Sequence, residues 1–138
     1  MENLEINKEN IAADSIIGIN NSFSGEFISN GLLRIDGDFK GTIKGYGKVL
    51  VGEGGRIQGD IYAKSIRIGG KIKGNVYALE RVDILATGKL IGDLYTKAFR
   101  AEEGMFLKGL VQILPEEKLK KIFDENVNNS KPIIENDF

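Results

Sequence analysis

One short pattern, an apolar residue, any residue, glycine, any residue and a second apolar residue, recurs six times along this chain. The copies are Phe23-Ser24-Gly25-Glu26-Phe27, Phe39-Lys40-Gly41-Thr42-Ile43, Ile57-Gln58-Gly59-Asp60-Ile61, Ile72-Lys73-Gly74-Asn75-Val76, Leu90-Ile91-Gly92-Asp93-Leu94 and Leu107-Lys108-Gly109-Leu110-Val111. Their central glycines stand 15 to 18 residues apart. A second element keeps the same phase: apolar residues two apart at Leu33/Ile35, Val49/Val51, Ile66/Ile68, Val82/Ile84 and Phe99/Ala101. Spacing of two puts both members of a pair on one face of a strand, and the β-branched residues favour that reading over a helix. Short strands joined by glycine turns at a near-constant period predict an all-β parallel solenoid of about six coils, each unable to bury its apolar face unaided. A β-sandwich is the competing fold, but it needs Asn-Gly or Asp-Gly hairpins at shorter spacing. Only Asn30-Gly31 and Asp36-Gly37 are of that type, too few for a sandwich.

Glycine weakens an ordinary strand, so its place in every copy calls for a reason. The expectation is a shared core column of Gly25, Gly41, Gly59, Gly74, Gly92 and Gly109, turned inward where the chain crosses a narrow interior.

Composition excludes much else. All 18 glycines lie between Gly18 and Gly109, and the two prolines, Pro115 and Pro132, follow that block. This division predicts an N-terminal tail (1–18), a β-helix domain (19–113) and a C-terminal tail (114–138). Cysteine and histidine are both absent, which removes disulfides, thiolate chemistry and the commonest general base and metal ligand. No phosphate-binding loop or calcium-binding solenoid repeat occurs, so neither a cofactor nor a metal is expected. A net charge of −1 gives no nucleic-acid signature. With no long apolar run or signal peptide in the sequence, a cytoplasmic location is expected. Asp60, Asn75 and Asp93 share a column, yet one such residue per coil fits turn chemistry better than catalysis. No enzymatic activity is expected.

The outer faces carry two further patterns. Tyr62, Tyr77 and Tyr95 each follow a motif directly, which predicts a stacked external ladder that could also hold a partner. Lys71, Lys73 and Lys89, with Lys40, Arg56 and Lys108, make one face basic; it either attracts an anionic ligand or serves as a solvated face. In the C-terminal tail Leu119, Ile122 and Phe123 share helical spacing. That segment reads either as a short amphipathic helix that docks a partner or as a frayed tail.

Both end coils are rich in apolar residues: Phe23 and Phe27 in the first, Met105, Phe106, Leu107, Leu110 and Val111 in the last. Solenoids that stay monomeric cover their ends with polar caps, and an uncovered edge templates further pairing. These residues are therefore the expected polymer interface. Matching ends would give isologous contacts and a polymer without polarity.

The segments LLRIDGDFKGTI, GKVLVGEGGRIQGDIYA and KIKGNVYALERVDILATGKLIGDLY resemble the bactofilins, bacterial cytoskeletal proteins. The resemblance runs from about Ile17 to Val111. It implies a right-handed parallel β-helix that polymerises with itself into nucleotide-independent, non-polar filaments in the cytoplasm, often near the inner face of the cell membrane, scaffolding cell-wall or cell-shape proteins. Many members begin with an apolar or basic membrane-targeting peptide. Here MENLEINKEN carries Glu2, Glu5 and Glu9 against Lys8, so membrane association is expected to be indirect. The reading from another class is a monomeric solenoid that recruits a protein partner.

Overall fold

The computed structural model describes residues 13–128. The charged stretch at 1–12 and the end of the C-terminal tail, 129–138, lie outside the described residues. Among the described residues thirteen strands and one helix follow in chain order. Strands β1 (Ala13–Ile17), β2 (Ser22–Ile28), β3 (Leu32–Ile35), β4 (Asp38–Lys44) and β5 (Lys48–Val51) begin the stack. It continues through β6 (Arg56–Gln58), β7 (Ile61–Ile68), β8 (Lys71–Lys73) and β9 (Val76–Ile84). Strands β10 (Lys89–Ile91), β11 (Leu94–Ala101), β12 (Phe106–Lys108) and β13 (Val111–Ile113) complete it, and helix α1 (Glu116–Asn126) follows.

Every pairing among these strands is parallel and joins one coil to the next, which makes the fold a solenoid of about six turns and excludes a sandwich of antiparallel hairpins. The pairings resolve into three faces. The first runs β1, β3, β5 and then the later halves of β7, β9 and β11. The second runs from the start of β2 and β4 through β6, β8, β10 and β12. The third joins the ends of β2 and β4 to the early halves of β7, β9 and β11 and to β13.

Alternation along each strand sends one set of side chains inward, and the parallel register stacks like on like. Ile35, Val51, Ile68 and Ile84 form one fully buried column. Leu33, Val49, Ile66 and Val82 form the next. The two apolar positions of the glycine motif supply the rest: Phe39, Ile57, Ile72 and Leu90 on the second face, Ile43, Ile61, Val76 and Leu94 on the third. Fully burying such a side chain stabilises by roughly 1.5–3 kcal/mol, and each does so only because a neighbouring coil covers it.

The solenoid starts earlier than the boundary drawn at residue 19. Strand β1 pairs with β3, and Ile17 joins the column above Ile35. Its lack of a glycine motif hid it in the sequence. The end of the stack is likewise not followed at once by an irregular tail. Pro115 starts α1 at the point where its missing N–H costs nothing, and Glu116 and Glu117 in the first turn suit the helix dipole. The helix turns back along the side of the solenoid. Leu119 and Phe123 are fully buried, with Phe123 against Tyr62 at 5.9 Å and Tyr46 at 5.8 Å between ring centroids. The Tyr46 hydroxyl donates to the Asn128 side-chain oxygen just beyond the helix. An 11-residue helix is marginal alone; here packing holds it, and its apolar stripe is occupied by its own solenoid.

Candidate functional site

The glycine column sits at the corners between the second and third faces, half-buried except at the exposed end-coil glycines, and does not point into the core. At Gly59, Gly74 and Gly92, φ is 145°, 152° and 146°. A Cβ there would lie 1.6 to 1.9 Å from the carbonyl oxygen of the preceding coil's glycine. Two causes therefore act together: left-handed backbone at the corner and contact between stacked corner backbones. The same corners carry a polar ladder. The Asp60 carboxylate accepts the Asn75 N–H at 2.9 Å, the Asn75 side-chain oxygen accepts the Asp93 N–H at 3.0 Å, and Asp93 accepts the Leu110 N–H at 3.1 Å. These side chains bind coil to coil, and the ladder stops at Leu110, which has no carboxylate or amide to offer a further coil.

The tyrosine ladder is present. Tyr62 and Tyr77 stack at 4.4 Å, Tyr77 and Tyr95 at 4.9 Å. Helix α1 covers its first rung, leaving Tyr62 buried and Tyr77 and Tyr95 half-buried, so the first rung is closed to a partner. Burial, with Tyr77 and Asp60 nearby, pushes the Tyr62 phenol up to about 12; burial and Asp93 raise Tyr95. The unfolded chain releases such protons near pH 10. The Tyr62 contribution to stability is thus complete below about pH 10 and is lost as pH rises through about 12, because the unfolded state then binds fewer protons. A spectrophotometric titration of the folded protein should show one phenolate fraction appearing late; all tyrosines ionising together near pH 10 would remove this assignment.

The two ends of the stack differ from its middle. Among the described residues β1 pairs only with β3, β2 only with β4, β12 only with β10 and β13 only with β11, so each end presents an edge of backbone donors and acceptors. At the first end Ile17, Phe23 and Phe27 pack on the core but remain partly open. The Phe23 ring stacks on Phe39 at 5.1 Å and meets Phe27 edge-on at 5.6 Å. Ile16 and Ile19 are 56% and 72% exposed. At the last end Phe99, Met105, Leu107 and Val111 close the inward columns and are only half-buried, since no coil covers them.

Phe106, Leu110 and Ile113 are 48%, 63% and 58% exposed. Phe106 occupies the outward column above Lys89, whose ammonium lies 5.1 Å from the ring centroid, and Leu110 follows the polar corner ladder. Both therefore rim the end cross-section instead of filling it. Sequence reasoning missed Ile17 and Phe99, although Phe99 stood in the second apolar series. It also missed Ile113, which the short strand after the sixth motif could have indicated.

No group of three or more histidine, cysteine, aspartate or glutamate side chains among the described residues is placed to hold a metal ion, and no described helix is long and apolar enough to cross a membrane. The family model for Bactofilin, described as polymer-forming cytoskeletal, matches residues 15–112. The crystal structure of a point mutant of the bactofilin from Thermus thermophilus is 29% identical, with a TM-score of 0.60, over 64% of this chain and 98% of that one. No curated protein matches the chain.

Proposed function

The chain belongs to the bactofilin family of polymer-forming cytoskeletal proteins, and from that premise we propose that it assembles end to end, first coil on first coil and last on last. The product is a non-polar filament that needs no nucleotide. It works in the cytoplasm as a scaffold for cell-shape or cell-wall proteins, reaching the membrane through those partners. The observation that carries this reading is that, among the described residues, nothing caps either end: half-buried apolar columns are ringed by strand edges with no further partner. Among the described residues helix α1 is the one element after the last coil, and it packs on the side of the stack and not over that end. In isologous contacts the two facing edges run antiparallel, so β-pairing and apolar burial can continue across each junction.

Purified protein without nucleotide should pellet in a sedimentation assay and show filaments by negative stain, with ATP or GTP changing neither. A species that stays small at all concentrations would favour the monomeric binding module, and nucleotide-dependent pelleting would contradict the proposed mechanism.

A further inference from the structure

The second face of the solenoid carries a groove of about 660 Å³ that crosses five coils, from Ser22 and Ser24 to Lys89 and Ile91. Parallel register sets two outward columns along it. One runs Asp38, Arg56, Lys71, Lys89, and the other Lys40, Gln58, Lys73, Ile91. Asp38 is satisfied by Arg56, which donates to both its oxygens at 2.7 Å. Among the described residues no carboxylate forms an ion pair with Lys40, Lys71, Lys73 or Lys89. Elsewhere on the solenoid Lys44, Lys64 and Lys97 do have such partners. Phe39, Ile57 and Ile72 also border it, but their side chains are buried in the core, so the groove presents strand backbone between lysines that have no carboxylate partner.

We propose that this groove binds an extended acidic segment of a partner protein, with carboxylates toward Lys40, Lys71, Lys73 and Lys89 and its backbone along the strands between them. Five coils at about 4.8 Å span about 19 Å, the length of about six extended residues. Alternate side chains of such a segment recur at about 6.6 Å on one face, which lets successive carboxylates reach successive lysines. Complementary charge of this kind speeds encounter and sets specificity. A single-stranded nucleic acid would need free aromatic planes on which to stack its bases; the only aromatic rings in the lining, Phe23 and Phe39, are stacked on each other. A bilayer is flat and meets only the rim of a groove.

The test is fluorescence anisotropy with a labelled peptide of about twelve residues that alternates glutamate with glycine and leucine. Its arms are the same peptide with lysine for glutamate, a single-stranded oligodeoxynucleotide, and vesicles containing phosphatidylglycerol. The readout does not depend on whether the protein is assembled. The acidic peptide should bind the full chain, weaken with added salt, and lose about tenfold or more in affinity with Lys71→Glu plus Lys73→Glu, as two reversed charge pairs require. Lys64→Glu plus Lys97→Glu, away from the groove, should leave binding unchanged. Circular dichroism of both variants establishes that they fold; if the groove variant does not, Lys71→Gln plus Lys73→Gln replaces it, with a smaller loss expected. Equal binding by the folded groove variant, no binding of the acidic peptide, or binding of oligonucleotide or vesicles in its place would overturn the proposal.

Discussion

Leu107→Arg combined with Phe106→Arg is expected to convert filaments into folded, β-rich dimers. Leu107 closes the inward column above Leu90 and stays half-buried because no described residue forms a coil beyond it. A guanidinium there would be desolvated at every last-to-last junction and would face its own symmetry copy, at a cost of several kcal/mol per contact. Phe106 stands on the rim over Lys89, so Phe106→Arg alone adds a like charge beside a lysine and should weaken assembly less than Leu107→Arg. The first end, with Ile17, Phe23 and Phe27, is untouched and still pairs. Size-exclusion chromatography with light scattering should therefore report a dimer, with the strand signal in circular dichroism retained. Long filaments from the double variant would rule out the last coil as a junction.

The second large effect concerns folding. Gly74→Ala should lower stability by about 3 kcal/mol or more, because two costs combine: strain at φ 152° and a Cβ 1.9 Å from the Gly59 carbonyl oxygen. Backbone stacked in a continuous ladder cannot yield as a flexible side-chain end would. Gly25 separates the causes. Its φ is 138°, yet among the described residues no glycine corner precedes it, and an added Cβ meets nothing nearer than the Phe23 ring at 3.7 Å. Gly25→Ala should thus carry the backbone strain alone, about 1–3 kcal/mol. Thermal melts followed by circular dichroism, in the Leu107→Arg, Phe106→Arg background to limit assembly, should place Gly74→Ala well below Gly25→Ala. Equal melting temperatures would mean that coil-to-coil contact is not what selects glycine.

The repeat was legible because it is written in local chemistry. Apolar residues two apart, in phase with a glycine every 15 to 18 positions, specify stacked strands without any long-range information, and the columns from Leu33 to Leu94 follow directly. The reason for the glycines was not legible, since a backbone angle and a carbonyl in the neighbouring coil leave no mark on the sequence. Phe106 shows a second limit. In a motif its neighbour Leu107 points inward, so strict alternation already placed Phe106 outside, but bulk alone had suggested an anchor. The helix pattern at Leu119 and Phe123 was visible, whereas its seat on Tyr46 and Tyr62 joins residues far apart in the chain. Polar ladder residues Asp60, Asn75 and Asp93 were recognised as a column; their bonds to the next coil emerged only from the stacking.

Whether like ends meet can be measured directly, because the chain lacks cysteine. Single substitutions Leu110→Cys and Ser22→Cys place one thiol near each end of the stack, to be treated with a short bismaleimide under assembly conditions. Each variant alone should cross-link to a dimer and no further, because last-to-last and first-to-first junctions bring a thiol to its own copy, while the variant carrying both should give a ladder of long products. The contradicting result is cross-linking only between the two different positions, with each single variant remaining monomeric, which would mean that the subunits stack head to tail in a polar filament.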